Sequence, residues 1–433
     1  MWAAATRLRG VPLNVMLIPW LVSGRIDSAM LCAAVSDLCA RHATLRSILR
    51  YDAGVLRQVT HAAAPVHVQR LDPSGTEPAA RLESALDRLR AEARTGVDVE
   101  RGPVLRAWLF ALAPDRHLLA FVTHHAMCDG WSTQIMLKDL VAAYRARALG
   151  NFGTAEPVCA TYAELAAAVA SAAERDEFQR ELAYWERQLA APPSPLALPT
   201  AATRKGQRDF SARSVIQVES SASMAQVRAF ARARRASPFA VMLSALAVLL
   251  RSQTGAEDML IGVSTLNRWS PASRHVVGCF TTILPARLCP RSGLALDDLV
   301  ARTNTMLREL LAYGRVPFEL ILRHLQAGSV GTLALPVWCQ LLEPAAPAEL
   351  PDLEVSWQPL RIERVAMQCE IEFDLLDAPE GLQCDLAHRA AFFDPTRVEA
   401  LGERFRMALR LLCAGPAQRV DELVEQLATA SHA

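Results

Sequence analysis

Two stretches of the chain, Val104 to Leu112 and Leu118 to Thr123, are apolar at almost every position and are separated only by Ala113-Pro114-Asp115-Arg116-His117. Runs this short that are apolar on both faces read as buried strands, here joined by a turn. Buried strands need helices to cover them, and the flanking sequence supplies these. Downstream, Ser132 to Arg147 places Ile135, Met136, Leu140, Val141 and Tyr144 on one helical face, with Ser132 available as the cap. Upstream, Asn14 to Val22 reads as a strand closed by Ser23-Gly24, and Asp27 or Ser28 then caps a helix whose apolar face is Met30, Leu31, Ala34, Val35 and Leu38. The second half repeats the alternation. Ser223 to Arg235, Pro238 to Gln253 and Leu296 to Leu311 read as helices, while Asp258 to Leu266, Glu370 to Leu376 and Gly381 to Ala390 read as strands. Asp394-Pro395 is a cap followed by proline at the first helical position, opening a helix with Val398, Leu401, Phe405, Ala408 and Leu412 on its core face. The class is mixed α/β. No sequence period is visible, so any duplication is structural only.

A chain of 433 residues is long for one core, which predicts two lobes of roughly 200 residues each. A helix over Glu177 to Ala190 is followed by the Pro-rich stretch Ala191 to Thr200, which places the boundary near residues 170 to 200. The division expected is 1–180 and 181–433. With 52% hydrophobic and 21% charged residues the chain is globular, and 46 basic against 45 acidic residues give no global field for nucleic acid or an anionic membrane. Charge therefore favours a small-molecule or protein partner. The ten cysteines are scattered without a CxxC pair, as expected of reduced thiols in a cytoplasm. No apolar run is long enough to span a bilayer, and the run Val15 to Val22 after Arg7 and Arg9 lacks a small-x-small cleavage site before Arg25 and Asp27. Lysine supplies only Lys138 and Lys205 of the basic residues, a bias that resembles a GC-rich bacterial genome.

The chemistry concentrates in Thr123-His124-His125-Ala126-Met127-Cys128-Asp129-Gly130-Trp131-Ser132, where a buried strand leaves the core and a helix begins. Successive strand residues point to opposite faces, so His124 and His125 should diverge, one into packing and one toward a cleft, and a shared metal is not expected. A neutral imidazole is the natural group to take a proton from an attacking amine or hydroxyl, a role worth about 10² to 10⁴ in rate. Asp129 can fix the loop through backbone hydrogen bonds or an arginine, and Gly130 can permit the tight turn. The remaining eight histidines read as structural.

This segment matches the HHxxxDG signature, and here the chain resembles the condensation domains of nonribosomal peptide synthetases. Arg41-His42-x-x-Leu45-Arg46 is similar to the family's RHxxLR segment, Tyr184-Trp185-x-x-Gln188-Leu189 to its YWxxQL helix, and Val277-Gly278-Cys279-Phe280-Thr281-Thr282-Ile283-Leu284-Pro285-Ala286-Arg287 to its GxFxNxLPxR stretch. Pro317-Phe318-Glu319 resembles the PFE segment. The matches fall in family order over nearly the whole chain. The resemblance implies two chloramphenicol-acetyltransferase-like lobes forming a V-shaped pseudodimer around a central tunnel, the N-terminal lobe carrying the HHxxxDG loop and the C-terminal lobe completing the tunnel. It implies His125 as the catalytic residue, with His124, Asp129 and Gly130 supporting it, Arg287 as the charged partner of Asp129, and the Gly130 N–H as a candidate oxyanion donor. Trp131 and Thr282 are candidates for the tunnel lining. No cofactor is expected to be bound, because the phosphopantetheine arm arrives on an acyl-loaded carrier protein. The acceptor is a diffusible amine or alcohol, or a second carrier.

The chain also departs from the family pattern. The first motif is reduced to Met1-Trp2-Ala3-Ala4-Ala5-Thr6-Arg7, Thr282 replaces the usual Asn, and no SRNPL-like segment is recognisable between Gly328 and Leu342. No carrier serine motif or adenylation loop is present, which reads as a free-standing, monomeric enzyme. Amide and ester formation stay open. So do two other readings: an O-acyltransferase of the same superfamily that uses acyl-CoA or carrier-bound donors, and a non-catalytic recruitment domain. Cys128 as a nucleophile and Arg232, Arg234 and Arg235 as an anion-binding run are weaker readings than a buried thiol and a solvated helix face.

Overall fold

The computed structural model describes residues 11–52, 55–151, 158–200, 209–327, 334–415 and 417–429. Met1 to Arg7, where the first motif was sought, therefore lie outside the described residues, as does the start of the segment searched for SRNPL.

In chain order the elements are β1 (Val15–Ser23), α1 (Ser28–Arg41), β2 (Ser47–Asp52), β3 (Val55–Thr60), β4 (Val68–Leu71), α2 (Pro78–Arg94), β5 (Leu105–Ala113), β6 (Arg116–His124), α3 (Gly130–Ala148), α4 (Tyr162–Glu174) and α5 (Gln179–Leu189). There follow β7 (Ala212–Ser220), α6 (Ser221–Ala233), α7 (Pro238–Thr254), β8 (Met259–Thr265), β9 (Thr282–Leu288), α8 (Leu296–Tyr313), α9 (Phe318–Ala327) and β10 (Val337–Leu342). The chain closes with β11 (Ala348–Leu350), β12 (Val355–Pro359), β13 (Ile371–Ala378), β14 (Gly381–Arg389), α10 (Pro395–Ala414) and α11 (Val420–Thr429).

Two compact units result. One takes the chain up to Ala172 together with Arg268–Phe280 and Ala345–Ala366, and the other takes Ala173–Asn267, Thr281–Pro344 and Met367–Ala433. A single cut at 180 thus misplaces the boundary residues 173–180 and two whole segments, 268–280 and 345–366. Residues 345–366 return because β12 pairs antiparallel with β1, and 268–280 return because they are bonded to the start of α3.

The first unit has a six-stranded mixed sheet in the order β11-β12-β1-β6-β5-β4. Its central hairpin is the apolar pair read from sequence: β5 and β6 run antiparallel, and β6 pairs with β1 from Val15 opposite His124 to Ser23 opposite Arg116. On one face, α1 is capped by Asp27, whose Oδ1 accepts the N–H groups of Ala29 and Met30 at 2.8 and 2.9 Å. This helix buries Leu31, Ala34, Val35 and Leu38 at helical spacing. It docks on α3 through the Arg-His pair of the RHxxLR segment, since Arg41 Nε and His42 Nε2 both donate to Asp139 Oδ2, at 2.9 and 2.8 Å. Burial pushes the Asp139 carboxyl up, but bonding and charge from His42 and Arg41 outweigh it and hold the group below its ordinary range.

The second unit has its own six-stranded mixed sheet, in the order β7-β14-β13-β10-β8-β9. The series β1-β6-β5-β4 in the first sheet and β7-β14-β13-β10 in the second share the same pairing senses: antiparallel, antiparallel, parallel. The duplication invisible in the sequence is present in this topology. Helix α7 begins with Pro238 after the cap Ser237, ends at the left-handed Gly255 (φ 71°), and is buried from Ala240 to Leu250. Helix α10 starts at the expected Asp394-Pro395 and buries its expected face, with Phe405 edge-on to Phe373 of β13 at 5.7 Å. Sequence periodicity did not reveal β7 or α2. Among the described residues, no single helix is long and apolar enough to cross a membrane. None of the ten cysteines forms a disulfide.

Candidate active site

Strand β6 ends at His124, and α3 begins at Gly130, so the histidines and the aspartate occupy the elbow between them. His124 turns inward and is 1% exposed. Its Nδ1 accepts the N–H of Ala126 at 3.0 Å, which puts the proton of the neutral ring on Nε2. Burial, reinforced by neighbouring His125, lowers its pKa to about 4. It is therefore a neutral packing residue that shapes the turn. His125 diverges from it and stays partly exposed. Its N–H donates to Asn14 O at 2.6 Å, so its backbone is pinned to the start of β1. Burial is the largest influence on the imidazole and lowers its pKa. A hydrogen bond to its own main chain and the charge of Asp129 act the other way, and Arg364 adds to the lowering. A ring with pKa below the ordinary 6.5 is neutral at pH 7, the state a proton acceptor needs.

Asp129 is fully buried and is the N-cap of α3, with Oδ1 accepting the N–H of Ser132 at 2.8 Å. The expected cap, Ser132, lies instead one turn into the helix. Its hydroxyl donates to Asp129 Oδ1 at 2.7 Å, with Gly278 O also in reach at 2.9 Å, and accepts the Gly278 N–H. Asp129 wins the cap because a carboxylate accepts more strongly than a hydroxyl and can accept several donors at once.

The charged partner of Asp129 is Arg268, whose Nη2 donates to Oδ1 at 2.8 Å from a side chain that is itself buried. Arg287, the expected partner, is elsewhere. It forks onto Asp258 at 2.9 and 2.6 Å and donates to the carbonyls of Gln188 and Ala191. Its role is to join β9 to β8 and to the end of the YWxxQL helix α5, where Trp185 Nε1 bonds Tyr313 O and Tyr184 stacks on the Tyr313 ring at 4.2 Å. Spacing could not have distinguished the two arginines, because Arg268 lies in an irregular segment outside every motif.

Gly130 is the first residue of α3 and is exposed. It does not adopt a left-handed conformation, and nothing lies within 4 Å of where its Cβ would stand. The tight-turn reason for this glycine is therefore not the operative one. What the position offers is open space and an N–H at a helix start, outside the helix's own ladder. Trp131 donates from Nε1 to Arg274 O at 3.0 Å. Thr282 opens β9 opposite Thr265. Cys128 is fully buried, and burial raises its thiol well above the ordinary value, which removes it as a nucleophile. Arg234 pairs with Asp297 and lies 3.6 Å from the Phe230 ring centre, while Arg232 and Arg235 are exposed.

The residues 276–280 form the other wall of the network. Phe280 N–H donates to Asp129 Oδ2 at 3.0 Å, and its ring lies 4.2 Å from the Arg268 guanidinium. A side chain at Gly278 would meet the Tyr162 ring at 2.1 Å, so glycine is required there. Tyr162 also donates its hydroxyl to Cys279 O at 2.9 Å. Cys279 Sγ then lies 3.6 Å from His125 Nδ1, a contact that sequence reading did not anticipate because 125 and 279 share no element.

The condensation domain is the family whose profile matches, over residues 15–430. The isonitrile lipopeptide synthase of Mycobacterium tuberculosis (strain ATCC 25618 / H37Rv) is 29% identical over 441 aligned residues, covering 98% of this chain and 17% of that protein, so the chain spans only a fraction of its relative's length. In three dimensions the X-domain from teicoplanin biosynthesis matches with a TM-score of 0.85 and 25% identity over 97% of this chain and 95% of the other. The first condensation domain of the calcium-dependent antibiotic synthetase, in complex with a substrate analogue, matches with a TM-score of 0.82 and 23% identity over 97% and 96%. With the HHxxxDG elbow, the mixed α/β fold and a family match over most of its length, the chain belongs to the condensation-domain family.

Proposed function

We propose that the chain moves an acyl group from the phosphopantetheine thioester of a carrier protein to an amine or hydroxyl acceptor, in nonribosomal peptide or hybrid polyketide biosynthesis. The observation that carries this reading is His125: a neutral, partly exposed imidazole pinned at the end of a buried strand, beside a fully buried ion pair. The imidazole takes the proton as the acceptor attacks the thioester carbonyl. The tetrahedral oxyanion is met by the Gly130 N–H, and its collapse breaks the C–S bond. The departing pantetheine sulfur recovers the proton from the imidazolium, so the enzyme ends unchanged. Asp129 takes no part in proton transfer. It is engaged by Arg268, Ser132 and Phe280 and holds the elbow in place.

Incubation with acyl-loaded carriers and with acyl-CoA, in the presence of amine and alcohol acceptors, tests the reading and identifies the donor. His125→Ala is expected to lower turnover about 10²- to 10⁴-fold. Equal turnover by His125→Ala and wild type would sink the proposal. A recruitment domain, by contrast, predicts no turnover by either protein.

A further inference from the structure

Cys279 stands apart from the buried cysteines. Burial raises the thiols of Cys39 and Cys384 to about 12, and that of Cys128 well above the ordinary value, so these are inert packing groups. Cys279 is partly exposed, and its sulfur lies 3.6 Å from Nδ1 of the imidazole that the proposed function depends on.

The placement is built from both sides. Gly278 is bonded to Ser132 through both its N–H and its carbonyl. Phe280 is bonded to Asp129 and stacked by Arg268. Between them, the carbonyl of Cys279 accepts from Tyr162. Every one of these anchors belongs to the ion-pair network at the start of α3 or to the Tyr162 ring beside it. The network that caps the helix therefore also fixes where the Cys279 side chain points.

The direction of the contact follows from the role proposed for the ring. For Nε2 to take a substrate proton it must be the unprotonated nitrogen, which leaves the proton on Nδ1, and a sulfur 3.6 Å from that nitrogen is then its acceptor. The reverse arrangement, with the thiol donating to Nδ1, would put the ring proton on Nε2 and disable it as a base.

We propose that Cys279 is a positioning residue for His125, its sulfur accepting from Nδ1–H and so fixing the tautomer in which Nε2 is the proton acceptor. This rests on the reading of His125 as that acceptor. Among the described residues, the other charged groups acting on the ring are Asp129 and Arg364, and His124 is its neighbour in the chain.

The test compares wild type, Cys279→Ala and Cys279→Ser in the full chain, by steady-state kinetics with the acyl donor and by 15N spectra of His125. Cys279→Ala is expected to lower kcat about five- to tenfold with little change in KM, the scale of one hydrogen bond. It is also expected to move the acid limb of the pH profile to lower pH, because an acceptor on Nδ1–H stabilises the imidazolium. The spectrum should show the wild-type Nδ1–H tautomer giving way to a mixture. Cys279→Ser, with an oxygen acceptor, should restore all three, and it also serves should the alanine variant fold poorly. Wild-type kinetics and an unchanged tautomer in Cys279→Ala would overturn the inference, as would an acyl adduct on Cys279, which would make the sulfur a nucleophile. The spectra report the contact whatever the turnover, so loss of the His125 role, read from His125→Ala, is distinguishable from loss of the Cys279 role.

Discussion

The two units carry the same device, a buried antiparallel hairpin running through an elbow into a capped helix, yet only one of the two elbows carries the groups that the proposed reaction needs. In the first, β5 and β6 lead through His124-His125 to Asp129 and α3. In the second, β13 and β14 lead through His388-Arg389 to Asp394 and α10. In each, a fully or almost fully buried histidine closes the strand end. The next residue differs decisively. His125 is a titratable ring left partly exposed, whereas Arg389 is a cation donating to Asp209 O and sandwiched against the rings of Phe210 and Phe392 at 4.4 and 4.2 Å. A guanidinium cannot accept a proton in the working pH range. The caps differ as well, since Asp129 is buried on Arg268 while Asp394 is an exposed cap bonded within its own turn to Thr396. The first helical residue is Gly130 in one elbow and Pro395 in the other, so only the first elbow has an N–H to offer there. The fold thus supplies the strand end and helix start twice, and the elbows differ in the residue after the buried histidine, in the first helical residue and in the burial of the capping aspartate.

The largest expected contrast is between the two aspartates. Asp129→Ala leaves the Arg268 guanidinium buried without its carboxylate and is expected to cost on the order of 3–5 kcal/mol, read as a lower urea midpoint. Asp394→Ala removes only an exposed cap and should shift the midpoint far less. Equal losses would show that burial of the ion pair is not what distinguishes the elbows.

Gly130→Pro imports the second elbow's residue into the first. The backbone permits it: proline suits the first helical position, Asp129 before it is extended (φ −117°, ψ 178°), and space over Gly130 is open. The variant should fold with a melting temperature at or above wild type and lose about 10²–10³ in kcat for want of the N–H. Full activity in a folded Gly130→Pro protein would remove Gly130 as the oxyanion donor.

The contrast also shows which parts could be read from sequence. Strands β1, β5, β6, β8, β13 and β14 and helices α1, α3, α5, α6, α7, α8 and α10 were legible, because their apolar periodicity and caps are local signals. His124, His125, Asp129 and Gly130 were legible because they are consecutive or nearly so. Arg268 and Cys279 were not, since each reaches the elbow across more than a hundred residues through irregular backbone, and no periodicity encodes such a contact. Arg287 misled for a related reason: it sits in a recognisable motif, but its strand carries it to Asp258. The return of residues 345–366 was equally hidden, because β12 is five residues long and its partner β1 lies at the other end of the chain.

The smallest effect concerns acid stability, and it also separates the elbows. His124 is held neutral in the folded protein, with a pKa of about 4 against an ordinary 6.5. Unfolding lets it bind a proton sooner, so its contribution is intact above pH 6.5 and is lost as pH falls from 6.5 toward 4, by about 3 kcal/mol at most. His124→Asn keeps an acceptor for the Ala126 N–H but removes the titration. Urea midpoints at pH 7.5, 5.5 and 4.5 should therefore fall less steeply for the variant, and parallel losses would mean that the acid sensitivity lies elsewhere. Arg389→Met, next to the strand-end histidine of the other elbow, should lower the midpoint at every pH by a similar amount, because the guanidinium it removes stays charged throughout that range. A pH-dependent loss in that variant would instead place titrating groups in the second elbow, and the division of labour between the two would have to be redrawn.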